Sequence, residues 1–130
     1  MSADDVEIVR DMYTAFGQRD RAALRERVAP DMRVYDRAHH PEASVYEGPD
    51  GFLRFAETDW EAFDEVTYEP QEFLEKGSYV VVPIKQAGRG RGSALDVEES
   101  IVNVWKLRDG RCVELRNYST LAEALEAVGS

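Results

Sequence analysis

The apolar residues of this chain change their spacing part-way along it, and that change limits the fold more than any other feature. Up to Phe63 they recur at three- and four-residue steps, and from Val66 onward at every second residue. These are the repeats of an amphipathic helix and of a half-buried strand. Val6, Val9, Tyr13 and Phe16, with Met12 beside them, make one helical face. Ser2 can cap this helix, the acids Asp4, Asp5 and Glu7 suit its positive end, and Gly17 suits its stop. A second short helix starts at Asp20, turns Ala23, Leu24 and Val28 inward and stops before Pro30. Residues 32–36 alternate like a strand, and residues 37–48, with both histidines, Pro41 and Gly48, read as a loop. A third helix carries Phe52, Phe55, Ala56, Trp60 and Phe63 on one face.

In the second half, residues 66–75 and 78–87 are strands around a Lys76-Gly77 turn. Pro70 and Pro83 each remove a ladder donor, so these strands should be bulged or edge-exposed there. The glycine- and arginine-rich residues 88–93 read as a flexible turn. Strands over 94–108 and 111–119 form the clearest hairpin, closed by Asp109-Gly110, which takes positive φ readily. Residues 121–128 close the chain as a short helix, with Thr120 and Glu123 as a capping box. Helices first and an antiparallel sheet afterwards give an α+β fold. At 130 residues the expectation is one domain over 1–130, since two cores would leave each half too small.

Composition removes several functions. Sixteen Lys+Arg stand against 26 Asp+Glu, a net charge of −10 that repels phosphate backbones and anionic bilayers. No apolar run approaches the ~20 residues of a spanning helix, and the acidic opening Ser2-Ala3-Asp4-Asp5 has no apolar stretch behind it, unlike a secretory signal. One cysteine, Cys112, cannot form an internal disulfide, and with two histidines it offers little for zinc. The expectation is a cytoplasmic globular protein with no metal and no cofactor, whose partner is a small molecule rather than nucleic acid or membrane.

Three polar residues fall on apolar strand faces. Asp36 ends the row of Met32 and Val34; Asn103 interrupts Ile101, Trp105 and Leu107; Asn117 ends the row of Val113 and Leu115. A buried polar group without a partner costs roughly 1–3 kcal/mol, so three of them need a reason. One reason is an apolar pocket with a few convergent polar groups; a carboxylate there acquires a raised pKa and suits a general base. The other is structural: Asn103 and Asn117 paired across the hairpin, and Asp36 capping the loop or meeting Arg37. Glu99 is in phase with Asn103 and reads as solvated. Val102 and Val104 make the opposite face of the same strand apolar too, which asks for a partner and predicts a homodimer through the sheet.

Several segments together resemble the nuclear transport factor two-like superfamily, in its bacterial SnoaL-like branch. They are residues 13–20, the run Val28-Ala29-Pro30-Asp31-Met32-Arg33-Val34-Tyr35-Asp36, the run Tyr46-Glu47-Gly48-Pro49-Asp50-Gly51-Phe52, and residues 104–113 leading to Tyr118. The resemblance covers essentially the whole chain. It implies a cone: a curved, mainly antiparallel mixed sheet around three helices, with a short C-terminal helix, a pocket opening into the cone, a dimer and no metal. It also implies a proton-transferring aspartate at Asp36, by similarity to the ketosteroid isomerases. Their oxyanion-holding acid aligns with Asn103 and their tyrosine with Met12, one residue before Tyr13. An amide donates to a developing enolate more weakly than a neutral acid, so steroid isomerisation itself is not expected. Dehydratase relatives use histidine and tyrosine, and His39 and His40 lie just past Asp36; adjacent histidines on a loop read as solvent-exposed. The Arg89-Gly90-Arg91 turn reads as an exposed hairpin tip rather than an anion site.

Two functions follow. The first is a cofactor-free isomerase or cyclase acting on a hydrophobic carbonyl compound. In it Asp36 is the base, Asn103 and Asn117 polarise the oxygen, and Tyr13, Phe55 and Trp60 shape the pocket. The second is a non-catalytic protein in which the same cone holds a hydrophobic metabolite or serves as a dimer scaffold.

Overall fold

A computed structural model describes residues 2–35, 45–90 and 96–129. Helix α1 spans Ser2–Gln18 and turns Val9, Met12, Tyr13 and Phe16 into the core. It ends one step later than expected. Gly17 stays helical, and Arg19 makes the left-handed turn at φ 54°, with Asp20 N–H donating to Ala15 O at 2.9 Å. Asp20 then caps α2 (Arg21–Glu26), its carboxylate accepting from Ala23 N–H at 3.1 Å. Val28 is not helical: strand β1 covers Val28–Tyr35 and buries Val28, Met32 and Val34. The strand tolerates Pro30 because its pairing with the later strand β7 (Arg111–Tyr118) is interrupted between Val28 and Arg33, where no donor is asked of position 30.

The expected loop before the third helix contains a three-residue strand, β2 (Val45–Glu47), antiparallel to β1. Helix α3 is Gly48–Ala62, so Phe63 opens strand β3 (Phe63–Pro70) instead of closing the helical face. The strand expected over 66–75 is broken after Pro70 and resumes as β4 (Leu74–Lys76). Both pair with β5 (Tyr79–Gly90), and Pro83 lies opposite the break, its carbonyl accepting from Gln71 N–H at 2.8 Å. β5 runs on through the segment expected to be a turn. Gly88 is needed there, since a Cβ would stand 2.4 Å from the Glu65 carbonyl oxygen of β3. Arg89 is accordingly a strand residue, paired with Asp96 across the ladder and held to its carboxylate at 3.4 Å. Residues 91–95, including the rest of the Arg-Gly turn, lie outside the described residues.

Strand β6 (Asp96–Arg108) and β7 form the expected hairpin, with Asp109 at φ 53° and Gly110 at φ 80°. Seven strands make one mixed sheet in the order β2-β1-β7-β6-β5-β3, with β4 on β5 and the β1–β7 pair parallel. Helices α1 to α3 fill its concave side in an α+β cone. Val113 is the extra residue of a bulge: Lys106 pairs with Glu114 and Leu107 with Cys112. Cys112, not Val113, therefore points inward at that end.

Part of the outer face is covered from within the chain. Helix α4 (Leu121–Ala127), capped by Thr120 accepting from Glu123 N–H at 3.2 Å, lays Leu121, Ala124 and Leu125 over Val81, Val102 and Val104. The apolar face that called for a second copy is thus covered by its own helix, and Val102 is only 4% exposed. Among the described residues no helix is long and apolar enough to cross a membrane.

Thr120→Ala removes the cap and should lower stability by about 1 kcal/mol in a urea titration. Ending the chain at Ser119 should do more, because three valines lose their cover. Sedimentation should show that truncated protein self-associating where the full chain at equal concentration does not change. An unchanged sedimentation coefficient and melting temperature would show that α4 does not protect this face.

Candidate functional site

Tyr13, on the inward face of α1, meets two residues of β6 that the two-residue repeat turns to the same side. Trp105 Nε1–H donates to the Tyr13 hydroxyl oxygen at 2.9 Å, and that hydroxyl donates to Asn103 Oδ1 at 2.6 Å. Asn103 Nδ2 donates in turn to Asn117 Oδ1 at 2.6 Å, across the directly opposed pair Asn103↔Asn117. An indole N–H can only donate, so the phenol oxygen beside it must pass its own hydrogen onward. The atom receiving that hydrogen is then an oxygen, which turns the Asn103 nitrogen towards Asn117 and fixes both amide orientations. The chain runs one way, from Trp105 to Asn117. It ends in the Asn117 Nδ2 hydrogens, which a ligand oxygen can accept.

These groups form one wall of a cavity of about 460 Å³. Phe16, Phe55, Ile84, Ile101 and Leu115 make most of the rest apolar, while Asp59, Tyr68, Gln86 and Glu99 add polar groups. The volume and the mixture suit a small molecule with both apolar and polar parts. Tyr13 is held neutral: burial, opposed by the Trp105 hydrogen bond, pushes its phenol far above the ordinary value of 10.0. It acts at neutral pH as a relay of hydrogen-bond polarity and not as a base. Tyr68 is also raised, by burial first and then by Asp59, to whose Oδ2 its hydroxyl donates at 3.5 Å.

Of the residues expected in the pocket, Tyr13, Phe55, Asn103 and Asn117 line this cavity. Trp60 does not. It is 3% exposed, packs edge-on to Phe16 and donates from Nε1 to the Phe16 carbonyl at 3.2 Å. That contact pins the end of α1 to α3. Asn103 and Asn117 show both of their expected behaviours together, since they pair with each other and face the cavity. The tyrosine of the wall is Tyr13; Met12 is fully buried in the core. Asp36, His39 and His40 lie outside the described residues. Asp59 and Tyr68 were missed by the strand-phase argument. Asp59 could have been found, because it stands four residues after Phe55 on the same helical stripe. Glu99 is exposed, as expected, yet it stands at the cavity's edge.

Tyr13→Phe leaves the Trp105 N–H and the Asn103 oxygen without a partner, and should cost about 2–4 kcal/mol by denaturant unfolding. A loss under ~0.5 kcal/mol would show that the two groups re-pair locally. Alkaline pH should act through the same region. Burial pushes the Cys112 thiol from 9.0 up to about 12, with Asp5 adding to it and Arg27 opposing it. A proton bound more tightly in the fold than in the unfolded chain gives stability that is complete below pH 9.0 and is lost as pH rises towards 12. The slope should approach ~1.4 kcal/mol per pH unit. Cys112→Ala should move its onset up to the titration of Tyr13, Tyr68 and Tyr118, which burial raises above 10.0. An onset that does not move would show that the thiol is not the group responsible.

Comparison with known proteins agrees with this architecture. The SnoaL-like domain family matches residues 9–115. A candidate SnoaL-like polyketide cyclase from Jannaschia sp. CCS1 superposes with a TM-score of 0.80 at 23% identity, covering 99% of this chain and 94% of its own. A candidate polyketide cyclase from Sinorhizobium meliloti gives 0.72 at 28% identity, covering 85% and 93%. IdmH, a candidate polyketide cyclase from Streptomyces antibioticus, gives 0.74 at 23% identity, covering 96% and 98%. No curated protein matches the chain. With the family match spanning most of the sequence and the cone shared with these structures, the chain belongs to the SnoaL-like domain family.

Proposed function

We propose that this protein is a cofactor-free proton-transfer enzyme of the isomerase or cyclase type, acting on an apolar ketone held in the cone. The observation that carries the reading is the one-way chain ending in amide hydrogens on the cavity wall. A ketone oxygen placed there accepts from Asn117 Nδ2 and from the remaining Asn103 Nδ2 hydrogen. The carboxylate of Asp36 takes a proton from the carbon next to the carbonyl, and the enolate oxygen keeps the amide hydrogen bonds as its charge grows. Returning the proton to another carbon completes an isomerisation. Attack of the enolate carbon on a second carbonyl of the same molecule, with the proton delivered to the new alkoxide, closes a ring. Alternation in the sequence and the resemblance to the ketosteroid isomerases support Asp36 as the base. The candidate cyclases of the same fold are consistent with the ring-closing version.

One observation favours the second reading, a binding protein without chemistry. The Tyr13 proton is already committed to Asn103, so the wall offers amides and no acid, and stabilises an enolate less than a neutral acid does. A single experiment separates the two. With β-tetralone in deuterated buffer, the wild-type protein should accelerate exchange of the α-protons seen by NMR. Asp36→Asn should reduce that acceleration by about 10²-fold or more while retaining the melting temperature and the affinity for the ketone. Wild-type protein that binds the ketone but exchanges it no faster than buffer would leave the binding reading standing and remove the enzyme.

A further inference from the structure

The inner face of the β5–β6 ladder changes its chemistry in steps. From the deep end outward, the facing pairs are Val82↔Asn103, Ile84↔Ile101 and Gln86↔Glu99. The last five of these residues line the cavity, which is therefore amide-lined at one level, apolar at the next and carboxylate- and amide-lined at its edge. Asp59 and Tyr68 join that polar edge from α3 and β3. Among the described lining residues there is no lysine, arginine or histidine, and the chain as a whole carries −10.

Resting on the proposed ketone-binding reading, we infer that Glu99 and Gln86 form a second recognition point. It selects substrates carrying a hydrogen-bond donor, and no anionic group, at the end opposite the reacting carbonyl. Strand geometry sets the length of such a molecule. Four residue steps lead from Asn103 to Glu99, a span of ~13 Å, and a hydrogen bond at each end leaves ~7–8 Å between the ligand's two polar atoms. That is the separation across a fused bicycle substituted at its two far ends. An alcohol or ammonium group there donates to the Glu99 carboxylate or the Gln86 amide oxygen. A carboxylate or phosphate meets a like charge and finds no cation among the described lining residues, so the site discriminates by repulsion as well as by attraction.

The test uses β-tetralones substituted, at the aromatic carbon farthest from the ketone, with hydroxymethyl, aminomethyl or carboxylate. Affinities are measured by calorimetry at low and high salt, with unsubstituted β-tetralone as the reference. The wild-type protein should bind the hydroxymethyl and aminomethyl compounds at least as tightly as the parent, and the carboxylate at least about tenfold more weakly than the aminomethyl compound. Added salt should narrow that gap, and Glu99→Gln should shrink it at least threefold. Equal affinity for the three substituted compounds, with the parent still bound, overturns this inference and leaves the ketone site intact. A gap that survives Glu99→Gln removes Glu99 from the role. Failure of the parent ketone itself to bind overturns the ketone site and this inference with it.

Discussion

The Trp105–Tyr13–Asn103–Asn117 chain ties helix α1 to the paired strands β6 and β7. Tyr13, Asn103 and Trp105 are buried, so their hydrogen bonds have to be matched inside the protein. An all-apolar version of the same wall would pack without that demand, and mutual burial of polar groups is poor evidence for stability as such. The arrangement makes sense through its polarity. An obligate donor at one end forces an available donor at the other, and the available end is on the cavity. The geometry thus lets a buried tryptophan set the orientation of an amide that a ligand can touch.

That wall depends on a sheet bent enough to enclose space. The curvature comes from irregularities at particular places: the bulge at Val113, the interrupted pairing around Pro30, and the break between β3 and β4 opposite Pro83. Close approach at Gly88, where a side chain would strike the Glu65 carbonyl, lets β3 lie tightly on β5 at the cavity's edge. On the convex side α4 removes Val81, Val102 and Val104 from water. β6 can therefore be apolar on both faces, with one face left to serve the cone.

The sequence spoke most clearly where a local rule left one solution. Asp109-Gly110 placed the β6–β7 hairpin and alternation gave the inward phase of Asn103 and Asn117, while the bulge at Val113 sets those two residues directly opposite each other. Alternation failed at Val113 because a bulge adds one residue without changing the residue types around it, so the phase flips unseen. Helical spacing showed which stripe of α3 turns inward. It could not show that the end of α1 lies between Trp60 and the cavity, because that is set by packing of one helix on another. Val28 looked helical because its spacing from Leu24 fits a helical turn; pairing with Cys112 decided for the strand. Val102 and Val104 were read correctly as a face needing cover. Cover comes from the seven-residue helix α4, rich in Leu and Ala.

Shared shape does not transfer chemistry at these identities, so the reaction has to be argued from the groups on the wall. On the proposed reading, their strength sets a condition on the substrate. Amide hydrogens stabilise an enolate less than a neutral carboxylic acid in an apolar site, and Tyr13, whose hydroxyl already donates to Asn103, adds no proton of its own. A carbon acid as weak as a simple saturated ketone asks more of the oxyanion partner than two amides supply. A ketone whose enolate is already delocalised, into an aromatic ring or a second carbonyl, asks less. The cavity's aromatic lining, with Phe16 and Phe55 beside Tyr13, suits such flat conjugated molecules, so the weakness of the donors and the shape of the walls favour the same kind of substrate.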